Sequence, residues 1–171
     1  APGTVNWTYS VNDANLDFLA AGETISLTYT VTITDNNNAT DTDTVTVTIN
    51  GTNDAPEISS AIADFGFTEA ADASAQDLSD SGTLSFTDID TNDVIDVSSA
   101  VTSGAVWSGG TIDASLKSDL EAGFTITGND LAAPGTVNWT YSVNDANLDF
   151  LAAGETISLT YTVTITDNNN A

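Results

Sequence analysis

Residues 1–39 recur letter for letter as residues 133–171, and this duplication constrains the chain more than any other feature. An offset of 132 residues is far longer than one solenoid turn and matches a whole domain, so it reads as a tandem array of separately folding repeats. The string runs from Ala1-Pro2-Gly3-Thr4-Val5-Asn6-Trp7 to Thr34-Asp35-Asn36-Asn37-Asn38-Ala39 and restarts at Ala133. Residues 1–50 are expected to be the back part of one repeat, 51–56 a linker, and 57–171 a second repeat without its last strand, the counterpart of residues 40–50.

Strict alternation dominates within the repeat. Val5, Trp7, Tyr9 and Val11 alternate with Thr4, Asn6, Thr8 and Ser10, the pattern of a half-buried strand. Ile25, Leu27, Tyr29, Val31 and Ile33 repeat it, as do Val45, Val47 and Ile49, each against a polar face made mainly of Thr, a β-branched residue that suits a wet strand surface. Between those two runs, Asp35-Asn36-Asn37-Asn38 is turn chemistry and predicts a hairpin. Further strands are predicted at 57–67, 82–87, 94–101, 105–107 and 124–127, with short helices at 114–122, where Leu116 and Leu120 lie four apart, and at 146–152. Many short strands separated by turns predict an all-β sandwich.

Twenty-five acids face one basic side chain, Lys117, and no His, for a net charge of -24. Phosphate binding needs clustered Lys and Arg, so nucleic acid is excluded as a partner. Charge of a single sign strains the compact state and calls for counter-cations. Hydrophobic residues at 40%, with three Trp, four Tyr and six Phe, supply a core and argue against disorder. Without Cys, neither disulfides nor thiolate metal sites can form. No apolar run approaches the roughly 18 residues of a membrane helix, so membrane insertion of this segment is not expected.

The acids gather at the ends of the predicted strands. Asp88-Ile89-Asp90-Thr91-Asn92-Asp93 follows one strand, Asp35, Asp41 and Asp43 surround the hairpin, Asp13 and Asp17 follow the Trp7 strand, and Asn53-Asp54 occupies the linker. One acidic pair is ordinarily a solvated loop, but recurring groups suit a divalent cation. Calcium takes about six to eight oxygen ligands, and carboxylates two apart on a loop can converge on it. The EF-hand spacing is not met. Glu23 and Glu155, each in a Gly-Glu-Thr turn, read as turn or cap residues, and Trp7 and Trp139, on the apolar face of a strand, read as core.

Several of these strings, Thr-Val-Thr-Val-Thr-Ile-Asn-Gly-Thr-Asn-Asp-Ala-Pro at 44–56, Gly82-Thr83-Leu84-Ser85-Phe86-Thr87-Asp88-Ile89-Asp90 and Phe150-Leu151-Ala152-Ala153-Gly154-Glu155-Thr156, resemble the VCBS-type repeats of giant bacterial adhesins of the RTX class. The resemblance implies cadherin-like or Ig-like Greek-key sandwich modules in tandem, exported by type I secretion to the bacterial cell surface. It also implies an extender role with Ca2+ stiffening the junctions between neighbouring repeats. The Asp-Asn-Asn-Asn hairpin departs from the Asp-Gly-Asp-Gly common in such repeats.

In a cadherin-like order, alternating strand directions assign Asp13, Asp17, Asn53, Asp54, Asp88, Asp90 and Asp167 to one calcium junction. They leave half-sites at Glu69 with Asp145 and Asp149, and at Asp35 with Asp41 and Asp43. The expected function is a non-enzymatic spacer. A calcium-dependent glycan-binding module is the alternative. With no His, no Cys and one Lys, most catalytic constellations are unavailable. Because the second repeat lacks its last strand in this reading, head-to-tail strand complementation between molecules is also expected.

Overall fold

A computed structural model describes residues 3–71 and 76–171; Ala1 and Pro2 of the duplicated string and residues 72–75 of the expected second repeat lie outside that description. The described chain is all-β apart from one short helix and single turns of 3-10 helix. It divides into two compact units, Ala1–Asp54 with Ile89–Asn92, and Ala55–Asp88 with Asp93–Ala171.

Among its described residues the first unit holds two strands, β1 (Thr24–Thr34) and β2 (Thr40–Asn50), paired antiparallel from Thr24 opposite Asn50 to Thr34 opposite Thr40. The turn between them is built by Asp35, whose Oδ1 accepts the N–H groups of Asn37 and Ala39, both at 2.8 Å. Asn38 takes the left-handed conformation, φ 66°, which Asn tolerates better than most residues. Residues 3–12 form no strand, contrary to expectation. Their alternation is correct, but no strand among the described residues pairs with them, and an unpaired run of backbone N–H and C=O groups stays with water.

The second unit contains the same string in a different setting. Its strands are β3 (Glu57–Ser60), β4 (Asp77–Thr87), β5 (Val94–Trp107), β6 (Phe124–Ile126), β7 (Gly128–Ala132), β8 (Gly135–Asn144) and β9 (Ile157–Asp167), with helix α1 (Ala114–Ala122) between β5 and β6. They form one antiparallel sheet in the order β3-β4-β8-β6 and another in the order β7-β5-β9. Both sheets feed one apolar core, with Leu84 and Phe86 from β4, Val137, Trp139, Tyr141 and Val143 from β8, and Ile95 and Val97 from β5. Gly82 lies opposite Trp139 in the ladder, where a Cβ would come within 2.9 Å of the indole nitrogen.

Phe65 stacks on Trp139 with centroids 5.1 Å apart, and Phe67 on Tyr141 at 5.6 Å. The 61–69 segment therefore covers β8 with side chains rather than with a ladder. Asp113 caps α1 by accepting the Ser115 N–H at 2.8 Å. At the other end of α1, the hydroxyls of Tyr141 and Tyr161 both donate to the Leu120 carbonyl, at 3.4 and 2.8 Å. They join the Gly123 N–H, which reaches the same carbonyl at 3.3 Å, at a helix end where the last carbonyls lack the regular i+4 donors.

The duplicated string makes a controlled comparison. Val5 and Trp7 are 80% and 64% exposed, whereas their twins Val137 and Trp139 are 8% and 7% exposed. Trp139→Ala is expected to lower unfolding free energy by about 3–5 kcal/mol. Trp7→Ala should change it by about 0.5 kcal/mol or less. Urea denaturation of the two variants checks this, and equal losses would contradict it.

Tyr161 carries a pH prediction. Burial, then the charges of Tyr141 and Glu121, push its phenol from 10.0 up to about 12, partly offset by a backbone hydrogen bond at Phe124. A phenol that holds its proton more tightly folded than unfolded contributes stability that is complete below the unfolded value. That contribution is lost as pH rises through the folded value. Stability should therefore fall between pH 10.0 and about 12, and Tyr161→Phe should flatten that loss in denaturation curves taken at stepped pH.

Candidate metal centre

Three strand ends in the second unit bring carboxylates together. Asp88 follows the last residue of β4, Asp93 precedes the first residue of β5, and Asp167 ends β9, where it pairs with Ile95 of β5. Each can offer one oxygen, and these oxygens lie within 4.8 Å of one another. Asp93 and Asp167 are buried and Asp88 is half-buried.

Local hydrogen bonding fixes the surround. Asp167 Oδ1 accepts the N–H groups of Asn169 and Ala171 at 2.8 and 3.0 Å, the same turn that Asp35 makes in the first unit. Asn169 then donates through Nδ2 to Asp93 Oδ2 at 2.9 Å, and the Asn168 Oδ1 accepts the Val94 N–H at 3.0 Å. The Asp-Asn-Asn-Asn turn thus docks onto the start of β5 and presents Asp167 beside Asp93.

The donor set fits a hard divalent cation. Carboxylate oxygens alone suit Ca2+, Mg2+ or Mn2+, whereas zinc and copper sites draw on imidazole or thiolate, which this chain lacks. Two carboxylates about 4–5 Å apart repel by on the order of 3–4 kcal/mol at an effective dielectric near 20, less where solvent screens them. Lys117, the one basic side chain of the protein, lies 3.8 Å from Glu121 on α1.

The expected junction residues are sorted differently from the sequence reading. Asp88 and Asp167 belong to the cluster of the second unit. Asp90 instead groups with the first unit, where its buried carboxylate accepts the Asp54 N–H at 2.8 Å. The same loop is held by Phe18, whose carbonyl accepts the Thr91 N–H at 3.3 Å, and by Glu23, which accepts from Asn92 at 2.6 Å. Asp13 and Asp17 are exposed, Asn53 is half-buried, and none of the three joins a group of three acids among the described residues.

Both proposed half-sites fall short of a three-acid group among the described residues. Asp145 is fully buried and accepts the Ala70 N–H at 3.2 Å and the Gln76 side-chain amide at 3.5 Å. It anchors the chain next to Glu69 through the backbone. Asp35 is exposed and spends Oδ1 on its own turn. Glu23 and Glu155 each accept the N–H three residues earlier, from Ala20 at 3.1 Å and Ala152 at 3.0 Å. Asp93 is the ligand candidate that sequence reasoning omitted. Its signal was present in the Asp-x-Asp-x-x-Asp spacing of residues 88–93.

Asp167→Asn keeps the Oδ1 acceptor of the turn and removes one charge from the cluster. With divalent ions chelated at low salt, it should raise the melting temperature by about 3–6 °C. Asp35→Asn, in the identical turn outside the cluster, should leave it nearly unchanged. Calorimetric scans of both variants in chelator check this.

Comparison with family models, with curated proteins and with solved structures returned no match.

Proposed function

We propose that this chain is a calcium-stiffened spacer segment of a tandem-repeat surface protein, with no catalytic role. The observation that carries the reading is the three-carboxylate cluster, which joins the ends of three strands drawn from both sheets of one unit. In this reading each repeat is a Greek-key sandwich of the VCBS type, and the parent is a secreted bacterial adhesin of the RTX class. The duplication supports a role in which length is the function, since repeating one unit extends a molecule without adding chemistry.

Asp88, Asp93 and Asp167 would hold the cation, with Asn169 orienting Asp93 and the 167–171 turn orienting Asp167. A bound calcium supplies the positive charge that reverses the repulsion among them. The ends of β4, β5 and β9 are then tied at one point. Calcium sites in extracellular modules work at about 10⁻⁴–10⁻³ M. The segment would stay loose in a low-calcium cytoplasm and stiffen outside the cell.

Millimolar calcium should raise the melting temperature of the wild-type chain by several degrees and give a saturating calorimetric isotherm. Asp93→Asn should weaken the isotherm at least tenfold. In calcium the rank of wild type and Asp167→Asn should invert relative to chelator. No heat of binding up to about 10 mM calcium, together with a melting temperature indifferent to chelator, would remove the proposal.

A further inference from the structure

Asn50 is the one asparagine in the sequence that is followed by glycine. It is exposed, and it ends β2 opposite Thr24. The pairing runs one rung further, to the Gly51 N–H, which donates to the Glu23 carbonyl at 2.9 Å. Space demands glycine at this rung, because a Cβ on residue 51 would overlap the carbonyl oxygens of Leu19 and Ala20. Those carbonyls belong to a turn that Glu23 holds together. Glu23 accepts the Ala20 N–H through Oε2 at 3.1 Å and donates its own N–H to the Ala20 carbonyl at 3.0 Å. Close packing of backbone on backbone thus sets a glycine directly after an exposed asparagine.

An Asn-Gly link carries its own chemistry. With no Cβ beside it, the Gly51 nitrogen can approach the side-chain carbonyl carbon of Asn50, Cγ, unhindered. Attack forms an N–Cγ bond, and the Gly51 nitrogen gives its proton to hydroxide. The Cγ–Nδ2 bond breaks, and Nδ2 leaves as ammonia after taking a proton from water. Water then opens the five-membered imide at one of its two carbonyls. Cleavage at Cγ leaves aspartate. Cleavage at the main-chain carbonyl leaves isoaspartate, in which the chain continues through the former side chain and is one methylene longer. Nothing is oxidised or reduced.

The fold opposes both requirements of ring closure. The attacking nitrogen must lose its proton, but that proton is the one held by the Glu23 carbonyl, whose lone pairs would then face a bare nitrogen anion. The peptide after Asn50 must also swing toward Cγ, far from the extended ψ of a strand residue. Closure therefore waits for the end of the β1–β2 ladder to open locally, and its rate follows the fraction of time that the rung is broken.

We propose that Asn50–Gly51 is a self-deamidation site gated by the Glu23–Gly51 rung, so that it keeps an irreversible record of ladder opening. Either product adds a carboxylate to a chain whose net charge is already -24. The extra methylene of isoaspartate also moves Gly51 out of its close fit against Leu19 and Ala20, so a marked ladder end does not close in the same register. This inference rests on neither calcium nor the spacer reading.

Incubation of the full chain in mildly alkaline buffer, folded and in urea, with peptide mapping of the amide-to-acid mass gain, tests the proposal. In urea Asn50 should react faster than any other asparagine of the chain. In the folded chain its rate should fall at least about tenfold. Glu23→Ala removes the carboxylate that accepts the Ala20 N–H and leaves the sequence around Asn50 unchanged. Folded, this variant should deamidate several-fold faster than the folded wild type, and hydrogen exchange at the Gly51 amide should accelerate by a similar factor. In urea the two chains should react at equal rates. Asn50 reacting as fast in the folded wild type as in urea overturns the proposal. So does an Asn50 that reacts in urea no faster than asparagines without a glycine neighbour, or a Glu23→Ala chain in which deamidation and exchange do not rise together.

Discussion

Main-chain pairing is the interaction on which everything else in this protein rests. A run of residues with perfect alternation is only half of a strand; the other half is a neighbour that takes its N–H and C=O groups. The chain demonstrates this on itself. Residues 135–144 lie between β4 and β6 and place Val137, Trp139, Tyr141 and Val143 in the core of the second unit. Their twins at 3–12 have no such neighbours among the described residues of the first unit and form no strand, although every side chain is the same. Burial and aromatic stacking both follow from which strands are beside which.

Local pattern was readable from the letters, and long-range pairing was not. The hairpin β1–β2 and the helix α1 announce themselves through alternation, turn chemistry and the Leu116–Leu120 spacing. The strand predicted at 57–67 stops at Ser60, because Phe65 and Phe67 lie on the rings of Trp139 and Tyr141 instead of extending a ladder. Segments expected as two strands at 94–101 and 105–107 are one strand, β5, that changes register between Val101 and Val106. β7 escaped notice since Gly128-Asn129-Asp130 reads as a turn, and Asp130 indeed takes positive φ, 51°.

The candidate metal centre shows the same division. Strand direction in an assumed cadherin-like order sent Asp88 and Asp167 to one end of the second unit, and their carboxylates lie together with that of Asp93. It could not separate Asp88 from Asp90, two residues along the same loop, because the separation is made by the backbone N–H of Asp54. Nor could it tell Asp145 from Asp13, which have identical sequence neighbours. Asp145 is buried and accepts the N–H of Ala70, far away in the chain.

The ion pair on α1 has a consequence outside folding and metal binding. Lys117 is the only Lys or Arg in 171 residues, and it sits inside a capped helix with its ammonium 3.8 Å from Glu121. Proteases that cleave after basic residues need such a side chain on a segment that can be drawn out straight into their active-site cleft. This chain offers them one address, on a turn of helix that must unwind before it can be cut. Endurance among digestive enzymes of that specificity is thus written into its composition.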